Sequence, residues 1–221
     1  MRLRLKFSKE EPLKFISHLD LQRLFTRAFR RAGIQPELKG GFNPQPKISF
    51  ALALPLGCTS SEEYMEAVID SDLRPQDVKD RLSFKLPEGV SIREVIEVPQ
   101  EDSSLTSRVS SCLYGVIFQT EEPLNSDKLK ETVKNLLQKE KLMITRQKKK
   151  KTKKIDAAPL IECLEIRWAC SFQGEIEMQL KIGAEGSIKP QEIMTIIQKE
   201  MSFTITNKKI HRKKMLLEGG K

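Results

Sequence analysis

Two histidines and four cysteines are all that 221 residues contain, and no two cysteines form a CxxC pair. A zinc site draws on clusters of these ligands, so a structural metal centre has little to build from. Cys58, Cys112, Cys163 and Cys170 are four isolated thiols, which read as reduced, buried cysteines of a cytoplasmic chain. No apolar run approaches the roughly 20 residues that a spanning helix needs, and no membrane association is expected. The opening Met1–Phe7 alternates charged and apolar side chains, a strand pattern rather than a signal peptide. The chain also lacks a GxGxxG fingerprint after a strand, a GxxxxGK[ST] loop, a nucleophile elbow, a CxxxCxxC cluster motif and a paired-carboxylate catalytic motif. No cofactor and no metal is expected.

What the chain does have is positive charge in blocks. The formal charge of +9 comes from 39 Lys and Arg against 30 Asp and Glu. Residues 1–50 carry +7, residues 51–100 carry −5, and Lys141–Lys154 and Asn207–Met215 carry +8 and +5 with no acid. Charge concentrated in this way points to a polyanion more strongly than the same charge spread evenly. Hydrophobic residues at 38% exclude a disordered chain.

Periodicity gives the organisation. Arg2–Phe7 reads as a strand. Ser17 caps a helix running to Ala32, with an apolar stripe of Leu21, Leu24, Phe25, Ala28 and Ala32 and a stop at Gly33. Lys39–Lys47, with two Gly and two Pro, is a loop, followed by strands at Ile48–Leu54 and Glu62–Asp70. Pro75–Leu86 is a helix and Ser91–Val98 a strand. The polar stretch Pro99–Ser111 reads as a linker. The order then recurs: strand Cys112–Gln119, helix Ser126–Lys139, strands Leu142–Gln147 and Ile161–Cys170, an added strand Glu175–Ile182, helix Pro190–Glu200 and strand Phe203–Ile210. The expectation is an α+β protein of two tandem ferredoxin-like (βαββαβ) domains, residues 1–99 and 112–221, joined by residues 100–111.

Four segments carry candidate chemistry. On the first helix Arg23, Arg27, Arg30 and Arg31 share the face opposite the apolar stripe, either as a track for phosphates or as a solvated face. His18 and Asp20 lie in the first turn, where a His could serve as general base on a ribose hydroxyl; a first-turn His also commonly caps or packs. In Gly40–Lys47, Gly40 and Gly41 permit positive φ or close backbone approach. Phe42 could stack on a base, Asn43 and Lys47 could contact a ligand, or the loop could be a rigid connection with Phe42 closing the core edge. Arg146, Lys148, Lys149, Lys150, Lys151, Lys153 and Lys154 form a basic hairpin tip, and Lys208, Lys209, Arg212, Lys213 and Lys214 a basic strand expected to run beside it. These are the candidate nucleic-acid contacts.

Residues 12–67 carry a resemblance. The SHLDL core, the RRAGI helix end, the GFNPQPK loop and the ALPLG turn, in this order and spacing, resemble a bacterial radical-SAM-associated domain of unknown function. Members stand alone as partners of a radical SAM protein or are fused to one. The resemblance implies importance, without roles, for Ser17, His18, Asp20, Arg23, Arg30, Arg31, Gly41, Phe42, Asn43, Pro44, Pro46, Lys47 and Ser49. Gln45 stands where that pattern often carries His, which removes a titratable group from the loop. The resemblance implies a radical SAM protein as partner.

Together these readings lead to the expectation of an accessory protein that binds structured RNA, tRNA or rRNA, for a radical SAM partner. The alternatives are an endoribonuclease using His18 and a protein-interaction module without nucleic acid.

Overall fold

Period-two alternation in the first nine residues sends Leu3, Leu5 and Phe7 to one side and Arg2, Arg4 and Lys6 to the other. The computed structural model, which describes residues 1–42, 44–148, 151–183 and 186–218, makes this segment strand β1 (Arg2–Lys9) with all three apolar side chains fully buried. The chain divides into two compact units, residues 1–109 with 217–221, and residues 110–216.

The first unit continues with α1 (His18–Arg31), the short strands β2 (Leu38–Lys39), β3 (Gln45–Pro46) and β4 (Ile48–Phe50), then β5 (Cys58–Val68), α2 (Pro75–Ser83) and β6 (Val90–Val98). Its strands pair in the order β6-β1-β5-β4, antiparallel at every step. α1 joins β1 to β4 and α2 joins β5 to β6, each across one intervening strand. The inner side chains of α1 (Leu21, Phe25, Ala28 and Phe29) and of α2 (Val78 and Leu82) close over Leu3, Leu5, Phe7 and Met65. Each fully buried Leu or Phe is worth about 1.5–3 kcal/mol relative to exposure, enough to hold a 14-residue helix that would be marginal alone.

Several expectations change here. The Lys39–Lys47 loop contains part of a small ladder, with Leu38 opposite Pro46 and Lys39 opposite Gln45. The strand expected at Ile48–Leu54 stops at Phe50, and the next strand starts at Cys58, four residues earlier than its Glu62. The Pro99–Ser111 stretch is held against the sheet. Arg2 donates to the carbonyls of Pro99, Gln100, Asp102 and Ser103, and Leu105 is 2% exposed in the short 3-10 turn Leu105–Arg108. Of the thiols, Cys58 and Cys112 are buried, Cys163 is half-exposed and Cys170 is exposed.

The second unit comprises β7 (Val109–Thr120), α3 (Ser126–Gln138), β8 (Met143–Lys148), β9 (Lys151–Asp156), β10 (Ile161–Cys170), β11 (Gln173–Gly183), β12 (Gly186–Ser187), α4 (Pro190–Met201) and β13 (Ile205–Leu217). Its strands pair in the order β10-β11-β7-β13. α3 packs against α4 and β10 through Leu129, Val133 and Leu136. The pair β8–β9, expected to contribute a strand to the main sheet, forms a two-stranded ladder of its own. Arg146 stands opposite Lys153 across it. The basic strand β13 lies beside β7, not beside this hairpin. No helix among the described residues is long and apolar enough to cross a membrane.

The polar side of β1 is a buried ion network. Glu66, 4% exposed, accepts from Arg2 at 2.7 Å and from Arg4 at 2.7 and 3.0 Å, while Asp102 accepts from Arg4 at 3.0 Å and Arg108 at 2.6 Å. Removing one member of such a network leaves buried charge without a partner. Glu66→Gln is expected to lower unfolding stability by about 3–5 kcal/mol in a denaturant titration, with trypsin cleavage appearing first within residues 99–108.

Candidate nucleic-acid interface

Helix α1 begins at a local cap. The Ser17 hydroxyl donates to Asp20 Oδ2 at 2.6 Å and accepts from the Asp20 N–H at 3.1 Å. The Ser17 hydroxyl is the main reason that the Asp20 carboxyl lies below the usual carboxylate range. His18 does not bond to it. Its ring meets Phe50 edge-on at 5.2 Å, and Phe50 in turn meets Phe7 and Phe25. Among the described residues, His18 has this ring contact and no hydrogen bond to an acid or base. Asp20 and His18 therefore serve the helix start and the aromatic cluster in this geometry.

Lys9 supports the same turn and escaped the sequence reading. Its side chain is 1% exposed, and its ammonium donates to the carbonyls of Ile16 at 3.1 Å and Lys14 at 3.4 Å. Burial pushes its pKa down, with Glu63 opposing the shift. The signal was present: position 9 continues the inward series 3, 5, 7 of β1, so a lysine there has to enter the core.

The four α1 arginines are all exposed. Arg23 pairs with Asp20 at 3.3 Å, and Arg31 donates to the Lys85 carbonyl at 2.6 Å. Arg27 and Arg30 have no hydrogen bond or ion pair among the described residues. They stand on the rim of a slot of about 350 Å³ between the last two turns of α1 and the returning chain. Gly33, at φ +70°, turns that chain, and Ile34 N–H bonds back to Phe29. Pro36 bridges Ile69, Glu37 N–H reaches the Val68 carbonyl, and the Leu38–Pro46 pair closes the far wall. Leu38 is 64% exposed along this wall, and Phe42 at the tip is fully exposed. Lys47 pairs with Glu37 at 3.3 Å. Gly40 has φ +95°, as the loop requires, but Gly41 needs neither positive φ nor close approach. Asn43 lies outside the described residues.

The second unit sorts its basic residues differently. Arg146 forms a forked pair with Glu192, both contacts at 2.6 Å, and donates to the Ser187 carbonyl, so it ties β8 to the start of α4 instead of facing a ligand. Arg212 is 1% exposed, with its guanidinium on the Tyr114 ring and hydroxyl. A phosphate cannot reach it. Lys213 is bound by Glu175 at 2.9 Å and Glu177 at 2.8 Å. Lys153, Lys154, Lys208, Lys209 and Lys214 are exposed and carry no ion pair among the described residues. Lys149 and Lys150 lie outside the described residues, as do the side chains of Lys148 and Lys151. No three His, Cys, Asp or Glu side chains gather to hold a metal among the described residues.

A family model for an uncharacterized protein conserved in bacteria, DUF2344, matches residues 2–190. The chain belongs to this family. No curated protein matches this DUF2344 chain. Its fold is similar to that of a chain in a Cbf5–Nop10–Gar1 complex, at 6% identity and a TM-score of 0.55 over 97% of this chain and 50% of the other. An archaeal box H/ACA sRNP Nop10–Cbf5 complex gives 8% identity and 0.51 over 97% and 49%. An H/ACA RNP bound to a substrate RNA containing 2'-deoxyuridine gives 7% and 0.52 over 97% and 49%. The DUF2344 chain thus spans about half the length of these solved chains, and the likeness is one of fold.

The Arg146–Glu192 pair sets a pH dependence. Burial pushes the Glu192 carboxyl up, but the guanidinium and the Lys189 N–H outweigh it and hold the group below its ordinary 4.5. Its stabilising contribution is present above pH 4.5 and disappears as the pH falls through the lowered value. Glu192→Gln is expected to lower the melting temperature at neutral pH, and the gap from wild type should narrow below pH 4.5.

Proposed function

We propose that this chain is an RNA-binding accessory protein that presents structured RNA, tRNA or rRNA, to a radical SAM partner, and that it does so with two ferredoxin-like units. The observation that carries the reading is the pair Arg27 and Arg30, exposed beside an apolar slot with no hydrogen bond or ion pair among the described residues, while Arg23, Arg31, Arg146 and Arg212 have partners within the chain. Guanidinium groups left without counter-ions on a rigid helix are suited to phosphate oxygens, which they bind through two parallel N–H donors. Lys153, Lys154, Lys208, Lys209 and Lys214 add point charges that attract a polyanion without reading its sequence.

Three further facts support it. Within each unit the strands follow the split order of a βαββαβ fold, β6-β1-β5-β4 in the first and β13-β7-β11-β10 in the second, with β8–β9 inserted after α3. The fold is shared with a chain from an H/ACA RNP bound to a substrate RNA. For the protein partner, Phe15 and Leu56 are 70% and 61% exposed on either side of the Lys14–Gly57 backbone contact, an apolar surface beside the resemblance motifs. The endoribonuclease reading has less behind it, since His18 is held on Phe50 without an acid–base partner among the described residues.

Filter binding of a tRNA pool across a salt series tests the nucleic-acid part. The log–log slope is expected to be about −0.7 to −0.9 per phosphate neutralised. Arg27→Gln and Arg30→Gln should each make it shallower by about that amount. A flat response, or no binding at low salt, overturns the reading.

A further inference from the structure

We propose that the slot between α1 and the Ile34–Pro46 return takes a single unstacked nucleobase from a single-stranded segment of RNA, with the adjoining phosphate held by Arg27 and Arg30. The inference rests on the RNA-binding reading above and specifies which part of the RNA enters this site.

Size and lining come first. At about 350 Å³ the slot lies at the small end of ligand cavities, about 300–1,000 Å³, which suits one heterocycle and not a stack of them. One wall is apolar, made by Ile34, Pro36, Leu38 and Pro46. The other is the helix, at Thr26, Arg27 and Arg30, where arginine stems can lie along a ring while their charged ends stay at the rim. Leu38 keeps most of its surface in water, so a flat face laid against it removes apolar area from solvent.

Charge then selects the occupant. Two guanidiniums with no counter-ion among the described residues, on the rim of an apolar slot, call for a ligand that is flat and apolar at one end and anionic at the other. A nucleotide has this form. Arginine planes also stack on bases, so the same two residues can serve both ends. Gln35, exposed at the same rim and without a hydrogen-bond partner among the described residues, supplies an amide that can donate to and accept from a base edge. A base inside a helix is covered above and below by its neighbours, so only an unpaired or extruded one can enter.

The experiment compares the full chain's affinity for a short oligoribonucleotide carrying 2-aminopurine with that for its duplex. On the wild type, 2-aminopurine emission should change on binding of the single strand. Leu38→Ala removes the exposed wall and Thr26→Phe fills the slot; each should reduce the ratio of single-strand to duplex affinity about tenfold, the size of losing one base-stacking contact. Phe84→Ala, which removes an 86% exposed ring elsewhere on the unit, should leave the ratio unchanged. Melting curves confirm that each variant is folded. An unchanged ratio in both folded slot variants, with the salt-dependent binding intact, overturns the slot proposal and leaves the RNA reading standing. Absence of binding to either RNA by wild type at low salt overturns both.

Discussion

Strand β1 has to leave water on both of its faces, and the two faces carry opposite chemistry. Leu3, Leu5 and Phe7 need hydrocarbon, which α1 and α2 supply, while Arg2 and Arg4 need anions and carbonyls. Hydrocarbon on that second side would strand two guanidinium groups, so the chain brings Glu66 from β5 and the carbonyls of residues 99–103 to them. The apolar demand also fixes α1. Phe25 meets Phe7 edge-on at 4.9 Å, and with that face turned inward the arginine row is left on the exposed side of the helix. The exposed arginines follow from how the core is filled.

The same logic explains which parts of the fold were legible. The helix α1 was readable because its inner side chains recur at three and four, and the cap at Ser17 is local. The Pro99–Ser111 stretch was not. It has no periodicity of its own, and what holds it is the guanidinium of Arg2, nearly a hundred residues away. The hairpin β8–β9 was half legible. Alternation in Met143–Gln147 announces a strand, but nothing within it says whether a third strand lies alongside.

Among the basic residues, sequence marked the right segments and missed the sorting within them. Arg212 sits among four lysines and reads like them, yet β13 aims it at Tyr114. Arg146 opens a lysine-rich run, yet Glu192, forty-six residues later, is the anion it finds. Composition can state that charge is present; only the neighbours decide whether it is already neutralised. The slot was invisible for a related reason. It is the space left when the chain turns at Gly33 and comes back along α1, so no local pattern encodes it.

The candidate contacts that have no ion pair among the described residues differ in kind between the two units, and the difference matters for the proposed role. Lysines on a hairpin and a strand act at a distance as mobile point charges, raising the local concentration of a polyanion without constraining it. Arg27 and Arg30 are carried on a helix whose inner face is locked by Phe25 and Phe29, so in the proposed phosphate contact only side-chain freedom would be lost. An accessory protein that must offer one nucleotide to a separate enzyme needs both properties. Attraction alone leaves the RNA free to slide, and rigid anchoring alone captures it slowly. A helix-borne arginine pair next to an apolar recess is where the sliding would stop.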